Sequence, residues 1–186
     1  MSVMAAEMMS LPRGRPFTRD DLDAMPDDGH RYELLDGVLV VSPAPRYVHQ
    51  LAVGELHLLL HAAVPEDAQV LFAPFDVVLA ADTVLQPDLL VAPRDAFTER
   101  DLPTAPLLAI EVLSPSTRRF DLLLKKERLE RAGCQHYWVV DPEEPSITAW
   151  KLEDGAYHQI ARVIGDDRFD VAEPFAIGFA PADLVP

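Results

Sequence analysis

Two short apolar runs in this chain each contain an acidic residue near the middle. Asp88 lies within residues 84–91 and Glu111 within residues 107–113, and aliphatic side chains flank both acids. A carboxylate in such a run is drawn into or beside a hydrophobic core, where an ionised group needs a cationic partner or a metal. Because both runs are typical of strands, the sequence predicts two acids on neighbouring strands and a site for a divalent cation between them.

The order of the predicted elements indicates an α/β fold with a mixed central sheet and helices on its faces. The core elements are a helix, three strands, a helix and a strand, at residues 47–63, 69–79, 84–91, 107–113, about 117–132 and 136–140. The second helix, which Gly133 ends and Ser116 or Thr117 caps, is predicted to be the crossover between the two neighbouring strands on either side of it.

Further elements are predicted at both ends of this core. A short helix opens at Thr18, and a hairpin spans residues 32–41 with Asp36-Gly37 as its turn. A second hairpin spans residues 147–163, and the rest of the chain is predicted to be an extended tail that packs on the body.

The length of 186 residues predicts one folded domain. We expect this domain to span residues 18–186, after a flexible N-terminal leader at residues 1–17, where proline and glycine interrupt every pattern. The leader lacks the order of segments that a signal peptide requires, and no apolar stretch is long enough to span a membrane. The single cysteine, Cys134, excludes an internal disulfide and a cysteine-based zinc cage, so we predict a cytoplasmic protein.

The formal net charge of −15 opposes general attraction to nucleic acid. A protein that binds nucleic acid through its phosphates usually presents a basic surface. Contact with DNA would therefore depend on a local basic strip, on a bound metal or on a partner protein. The densest basic patch consists of Arg118, Arg119 and Arg128 with the adjacent Lys125 and Lys126, and it is the local candidate for contacting substrate phosphate.

Asp88 and Glu111 are the candidate ligands for Mg²⁺ or Mn²⁺, because Mg²⁺ binds one or two carboxylates and retains several waters. A bound metal polarises a phosphoryl oxygen and supplies a hydroxide-like water. Lys125, in the following helix, could orient that water or stabilise the charge developing on the phosphoryl group. The alternatives are two solvent-facing acids at strand ends and an ordinary helical ion pair of Lys125 with Asp121.

Two further residues have two readings each. Glu33, in the first hairpin, could complete the ligands of the metal or pair with Arg31. His49, in the first turn of the long helix, could contact a substrate phosphate or a carboxylate, or it could be a surface residue near the helix cap. His57 and His61 are four residues apart, but no third zinc ligand is evident, and surface histidines are the favoured interpretation.

Taken together, several motifs resemble the Uma2 family (DUF820), a bacterial group with a restriction-endonuclease-like fold. The motifs are YELLDG at 32–37, PD at 87–88, EVLSPST at 111–117, Asp121 with Lys125 four residues later, Gly133, and YWVVD at 137–141. The resemblance covers about residues 20–165. The combination of motifs is specific to the family, whereas each motif alone is a weak signal.

The resemblance implies a PD-(D/E)XK-type core in which Asp88 and Glu111 are the metal ligands. In the wider superfamily a lysine stands two residues after the second acid, and here that position is Leu113. The resemblance therefore implies that Lys125 supplies the amine from the following helix. Leu129, where the family often has an aromatic residue, is a minor departure.

These observations lead to a first hypothesis of a metal-dependent endonuclease that hydrolyses DNA phosphodiester bonds. Asp88, Glu111, Lys125 and Glu33 would be its catalytic residues, and His49 with the basic patch would bind the substrate. The alternative is a non-catalytic binding or regulatory module on a nuclease scaffold, which the acidic composition favours. Hydrolysis of a small phosphoester is a third reading. The C-terminal strands suggest a homodimer, since many endonuclease-like folds act in pairs.

Overall fold

Three α-helices and thirteen β-strands occur in the described part of the computed structural model, which comprises residues 14–26, 28–115, 118 and 120–185. The helices are α1 (Arg19–Asp23), α2 (Tyr47–Ala63) and α3 (Lys126–Ala132). The strands are β1 (Arg31–Leu35), β2 (Val38–Ser42), β3 (Ala68–Phe72), β4 (Asp76–Ala80), β5 (Thr83–Leu85), β6 (Leu89–Pro93), β7 (Asp101–Leu102), β8 (Leu108–Val112), β9 (His136–Asp141), β10 (Ser146–Glu153), β11 (Ala156–Ile164), β12 (Phe169–Val171) and β13 (Ile177–Phe179). Short 3₁₀ turns lie at Arg94–Ala96 and Pro181–Leu184, and a π-helical segment lies at Phe120–Lys125.

The predicted mixed central sheet is confirmed. It has six strands in the order β11-β10-β9-β8-β6-β3, in which β8 and β9 are parallel and all other neighbours are antiparallel. The π-helical segment and α3 connect β8 to β9 as the predicted crossover. Helix α2 buries Ala52, Leu56 and Leu60 in the same core cluster as Trp138 of β9, so the main hydrophobic core lies between this helix and the sheet.

The predicted N-terminal hairpin consists of β1 and β2. Its turn residues, Asp36 and Gly37, have φ angles of 51° and 74°, as a two-residue hairpin turn requires. This hairpin belongs to a second sheet of five strands in the order β2-β1-β5-β4-β7. The hairpin is thus part of a larger sheet, whose other strands come from residues 76–102.

Two runs that were predicted as single strands are each divided between the two sheets. Residues 69–79 contribute to β3 and β4, and residues 84–91 contribute to β5 and β6. Pro74 and Pro87 lie at the two breaks, and proline cannot donate a hydrogen bond to a sheet ladder. Asp88 therefore lies in the connection between the two sheets, not within a strand as predicted.

The remaining predicted elements agree with the structure in position. Helix α2 has the predicted bounds, and Gly133 ends α3 with a φ angle of 85°. The tail contains the hairpin of β12 and β13, whose Phe169 packs against Trp138 with ring centroids 5.1 Å apart. No helix in the described ranges is long and apolar enough to cross a membrane.

Some predictions concern residues outside the described ranges. These residues are 1–13, which make up most of the predicted leader, Ser116 and Thr117 of the predicted helix cap, and Arg119 of the basic patch. At the described end of the leader, the N–H of Phe17 donates a hydrogen bond to the carbonyl of Gly37 at 2.8 Å.

Candidate functional site

Six ionisable side chains lie together where the two sheets meet. We call them the carboxylate cluster, and they are the four acids Glu33, Asp88, Glu111 and Asp121 and the two cations Arg31 and Lys125. Each acid and the lysine are at most 3% exposed. Such depth is unusual for charged groups, which are seldom fully buried unless they are paired.

Four separate parts of the chain bring these residues together, and one of them is the connection between β5 and β6, which carries Asp88. Strand β1 supplies Arg31 and Glu33, which share one face because side chains two residues apart on a strand point the same way. Strand β8 is buried along its whole length, so Glu111 has no solvent-facing alternative. The π-helical segment supplies Asp121 and Lys125, and π-helical turns are frequent at functional sites.

Lys125 lies at the centre of the cluster and is 0% exposed. Its Nζ atom is 2.9 Å from Oε1 of Glu33, 3.0 Å from Oε1 of Glu111 and 3.7 Å from Oδ1 of Asp121. Burial lowers the pKa of Lys125, but the charges of Glu111, Glu33 and Asp121 outweigh burial and raise this pKa above its ordinary value. The amine is therefore a permanent cation and a hydrogen-bond donor, and it cannot serve as a base.

Hydrogen bonds satisfy both oxygens of the Asp88 carboxylate. Nη1 of Arg31 donates to Oδ1 at 2.7 Å, and the backbone N–H of Val112 donates to Oδ2 at 2.8 Å. Nε2 of His49 lies 3.2 Å from the same Oδ2. Burial raises the pKa of Asp88, but the hydrogen bond with His49 and the charges of Arg31 and Lys125 lower it below its usual range, so Asp88 is ionised.

Glu111 is the least well compensated acid of the cluster. Its Oε1 accepts a hydrogen bond from Lys125, whereas its buried Oε2 has no hydrogen-bond partner among the described residues. Burial raises the pKa of Glu111 well above its ordinary value; Lys125 opposes this shift, and Asp121 and Asp88 add to it. Glu111 therefore gains by binding either a proton or a cation.

The net charge of the carboxylate cluster indicates whether the cluster suits a divalent cation. When all six groups are ionised, four negative charges face two positive charges, and two negative charges are in excess. Oε2 of Glu33, like Oε2 of Glu111, is buried and accepts no hydrogen bond in the described part of the chain. Two buried carboxylate oxygens that accept no hydrogen bond from the described residues, together with two excess negative charges, fit a hard divalent cation such as Mg²⁺.

The described residues do not form a ready-made cage of metal ligands. Within residues 14–26, 28–115, 118 and 120–185, no group of three or more His, Cys, Asp or Glu side chains is spaced to hold a metal. Mg²⁺ sites do not require such a cage, because they usually combine one or two carboxylates with water and substrate phosphates. The cluster therefore fits an open Mg²⁺-type site better than a closed structural one.

A cleft of about 630 Å³ reaches the cluster from the surface. Its walls include Arg31, His49 and Asp88, whereas Glu111 and Lys125 are fully buried. A molecule that enters the cleft thus meets Asp88, Arg31 and His49 before the inner residues.

The predicted basic patch does not line this cleft in the described residues. Nη1 of Arg118, whose side chain is 52% exposed, pairs with Asp141 at 2.5 Å. The ammonium of Lys126 lies 4.6 Å from the centre of the Trp150 ring. Although these two cations are close in sequence, they contact different parts of the fold.

Sequence reasoning gave too little weight to Arg31 and Asp121. Arg31 entered only as an alternative partner of Glu33, and Asp121 as a helical partner of Lys125 and as part of the motif that it forms with Lys125, yet both belong to the cluster. The available signal was spacing, since Arg31 and Glu33 are two residues apart on a strand. The hydroxyl of Tyr137, which was assigned to the core, donates to the backbone carbonyl of Asp121 at 2.8 Å and so fixes the π-helical segment.

Comparisons with known proteins identify what this chain is similar to. The Uma2 family model, described as "Putative restriction endonuclease", matches residues 19–184. A crystal structure from Anabaena variabilis ATCC 29413, described as "a putative nuclease belonging to DUF820", is similar with a TM-score of 0.74 and 20% sequence identity. The alignment covers 91% of this chain and 97% of that chain, and at this identity it shows a shared fold. No curated protein matches the sequence.

Proposed function

This chain belongs to the Uma2 family, whose model matches residues 19–184, and from that premise we propose that it is a metal-dependent endonuclease that hydrolyses phosphodiester bonds of DNA. The main support is the excess of buried negative charge on the carboxylate cluster, at the inner end of a cleft. Burying carboxylates without compensation is costly, and a site for a divalent cation accounts for that cost.

In this proposal Asp88 and Glu111 hold Mg²⁺ or Mn²⁺, and Glu33 is available as a third oxygen donor. The bound cation would polarise the phosphoryl oxygen and generate a nucleophilic water at neutral pH. Lys125, fixed between Glu33 and Glu111, keeps both carboxylates oriented and adds positive charge where negative charge develops.

His49 and residues of the basic patch supply the proposed contacts with substrate. His49 holds the Asp88 carboxylate through Nε2 and lines the cleft, so it is positioned to meet a phosphate group as well. Arg118 and Lys126, which do not line the cleft, and Arg119 are further proposed phosphate contacts. A homodimer, which would present two such sites to the two strands of a duplex, is also part of the proposal.

A non-catalytic binding module is the alternative function. Two observations favour it: the net charge of −15, and the complete set of hydrogen bonds on Asp88, which leaves this carboxylate without a free oxygen. Such a module would bind its partner without a metal and would leave DNA intact.

Crystals soaked in Mn²⁺ test the proposed function directly. We expect anomalous density beside the carboxylates of Asp88 and Glu111, and we expect it to be lost in Glu111→Gln. Cleavage of DNA should then require Mg²⁺ or Mn²⁺ and should cease with a chelator. If millimolar Mn²⁺ gives no density in the wild type, and replacing Arg31 by methionine does not restore it, the endonuclease proposal is rejected in favour of the binding module.

The affinity for Mn²⁺ is expected to rise with pH, because a cation must displace the proton that Glu111 retains. The pKa of Glu111 is raised well above its ordinary value, so affinity should increase until the pH exceeds this pKa and then level off. Because the pKa of Asp88 is lowered, Asp88 stays ionised over this pH range and does not contribute to the change of affinity with pH. Calorimetry in buffers with different ionisation enthalpies measures the protons released, and binding without proton release would contradict this prediction.

A further inference from the structure

Arg31 is the cation of the carboxylate cluster that faces the cleft. Its Nη1 donates to Oδ1 of Asp88 at 2.7 Å, and its Nη2 lies 3.6 Å from Oε2 of Glu33. Burial lowers the pKa of Arg31, but the charges of Glu33, Asp88 and Glu111 raise it. The guanidinium therefore interacts electrostatically with all three acids. It therefore fills the space between Asp88 and Glu33 with positive charge.

Asp88 is paired with Arg31, and Glu111 is paired with Lys125, so each of these acids already has a cation from the chain itself. A divalent cation that used Asp88 would have to take the place of the guanidinium. Two positive charges within a few ångströms repel strongly in a buried site.

Arg31 can leave this place more easily than Lys125 can. The side chain of Arg31 is 21% exposed and lines the cleft, whereas that of Lys125 is 0% exposed and lies close to three carboxylates. Nε of Arg31 is buried and has no hydrogen-bond partner in the described part of the chain. The guanidinium is therefore held in the cluster mainly by its contacts with Asp88 and Glu33.

We propose that Arg31 is a built-in competitor for the divalent cation: its guanidinium holds the cation position between Asp88 and Glu33, and it withdraws into the cleft when the metal binds. This inference rests on the proposed function, because it concerns the cation that the endonuclease requires. The withdrawn guanidinium would lie in the cleft, where its planar fork suits the two oxygens of an entering phosphate group.

Mn²⁺ affinity in Arg31 variants tests this inference without any measurement of activity. Titration calorimetry on Arg31→Met should show binding about tenfold tighter than in the wild type, because a competing charge is removed. Arg46→Met is the matched control. Arg46 also lines the cleft, but its ion pair is with Glu143, outside the cluster, so its loss should change the affinity by less than about twofold.

A second measurement keeps the inference testable if Arg31→Met fails to fold. In crystals of the wild-type chain with Mn²⁺ bound, the contact between Arg31 and Asp88 should be broken, and the guanidinium should lie in the cleft. Bound Mn²⁺ with that contact intact would overturn the inference, as would an affinity of Arg31→Met equal to or weaker than that of the wild type.

The outcomes also separate this inference from the proposed function. If Mn²⁺ binds and Glu111→Gln abolishes binding, but Arg31→Met binds no more tightly, Arg31 is not a competitor and the metal site stands. If neither the wild type nor Arg31→Met binds millimolar Mn²⁺, the metal site itself is absent, and both proposals are rejected.

Discussion

Glu111→Gln is expected to abolish metal-dependent cleavage while leaving the folded chain at least as stable as the wild type. Loss of residues that only support metal ligands typically costs about 10–100-fold in affinity or activity, so loss of a ligand should cost at least about 100-fold. The substitution keeps the size of the side chain and removes only its charge. Lys125 retains Glu33 at 2.9 Å and Asp121 at 3.7 Å, so it is not left without a partner.

The stability that Glu111→Gln gains over the wild type should increase with pH. The fold raises the pKa of Glu111, so the native state keeps a proton that the unfolded chain loses above about pH 4.3. The free energy of unfolding of the wild type therefore falls as the pH rises from there to the raised pKa. Glutamine does not titrate, so the stability advantage of the variant should vanish near pH 4 and increase as the pH rises.

Urea denaturation without metal, together with cleavage rates in Mn²⁺, measures both effects. Glu127→Gln is the control, because Glu127 pairs with Arg131 on the exposed surface of α3 and should change neither quantity. A Glu111→Gln variant that cleaves DNA at the wild-type rate would remove Glu111 from the proposed site. A variant that loses both stability and cleavage would indicate a mainly structural role.

The sequence predicts the elements of this fold best where one signal dominates. Helix α2 agrees with its prediction because its apolar side chains recur at helical spacing, and β8 and β9 agree because short apolar runs are bounded by turn residues. The run at residues 84–91 was misread as one strand. An apolar run can stay in one buried sheet or pass into another, and only Pro87 indicates the break.

For the candidate site, the sequence identified the residues better than it predicted the contacts between them. Asp88 and Glu111 were chosen as acids in apolar runs, Lys125 as an amine in the following helix and Glu33 as an acid in the first hairpin. The structure brings all four into one cluster, and their catalytic roles stay predictions. The bond between Arg31 and Asp88 joins residues 57 positions apart, and no local pattern encodes it. Such a contact depends on how the two sheets pack, which spacing along the chain does not determine.

Lys125→Met is expected to destabilise the chain severely, whereas Lys126→Met should have a small effect. Removing Lys125 takes the ammonium away from the buried carboxyl groups of Glu33 and Glu111, and removing one partner of a buried pair costs about 3–5 kcal/mol. Lys126 loses a contact with the ring of Trp150, which is worth about 0.5–1 kcal/mol at a partly exposed site. Adjacent lysines with the same side chain thus differ only in their surroundings.

Urea denaturation of the two variants at neutral pH gives the comparison. A second substitution separates charge from packing: Glu33→Gln in the Lys125→Met background removes one uncompensated charge and should restore part of the lost stability. Equal losses in Lys125→Met and Lys126→Met, or no recovery in the double variant, would contradict a charge-bearing role for Lys125. Recovery would mean that Lys125 is retained in the core because the acids around it require a cation, and those acids are the ones proposed to hold the metal.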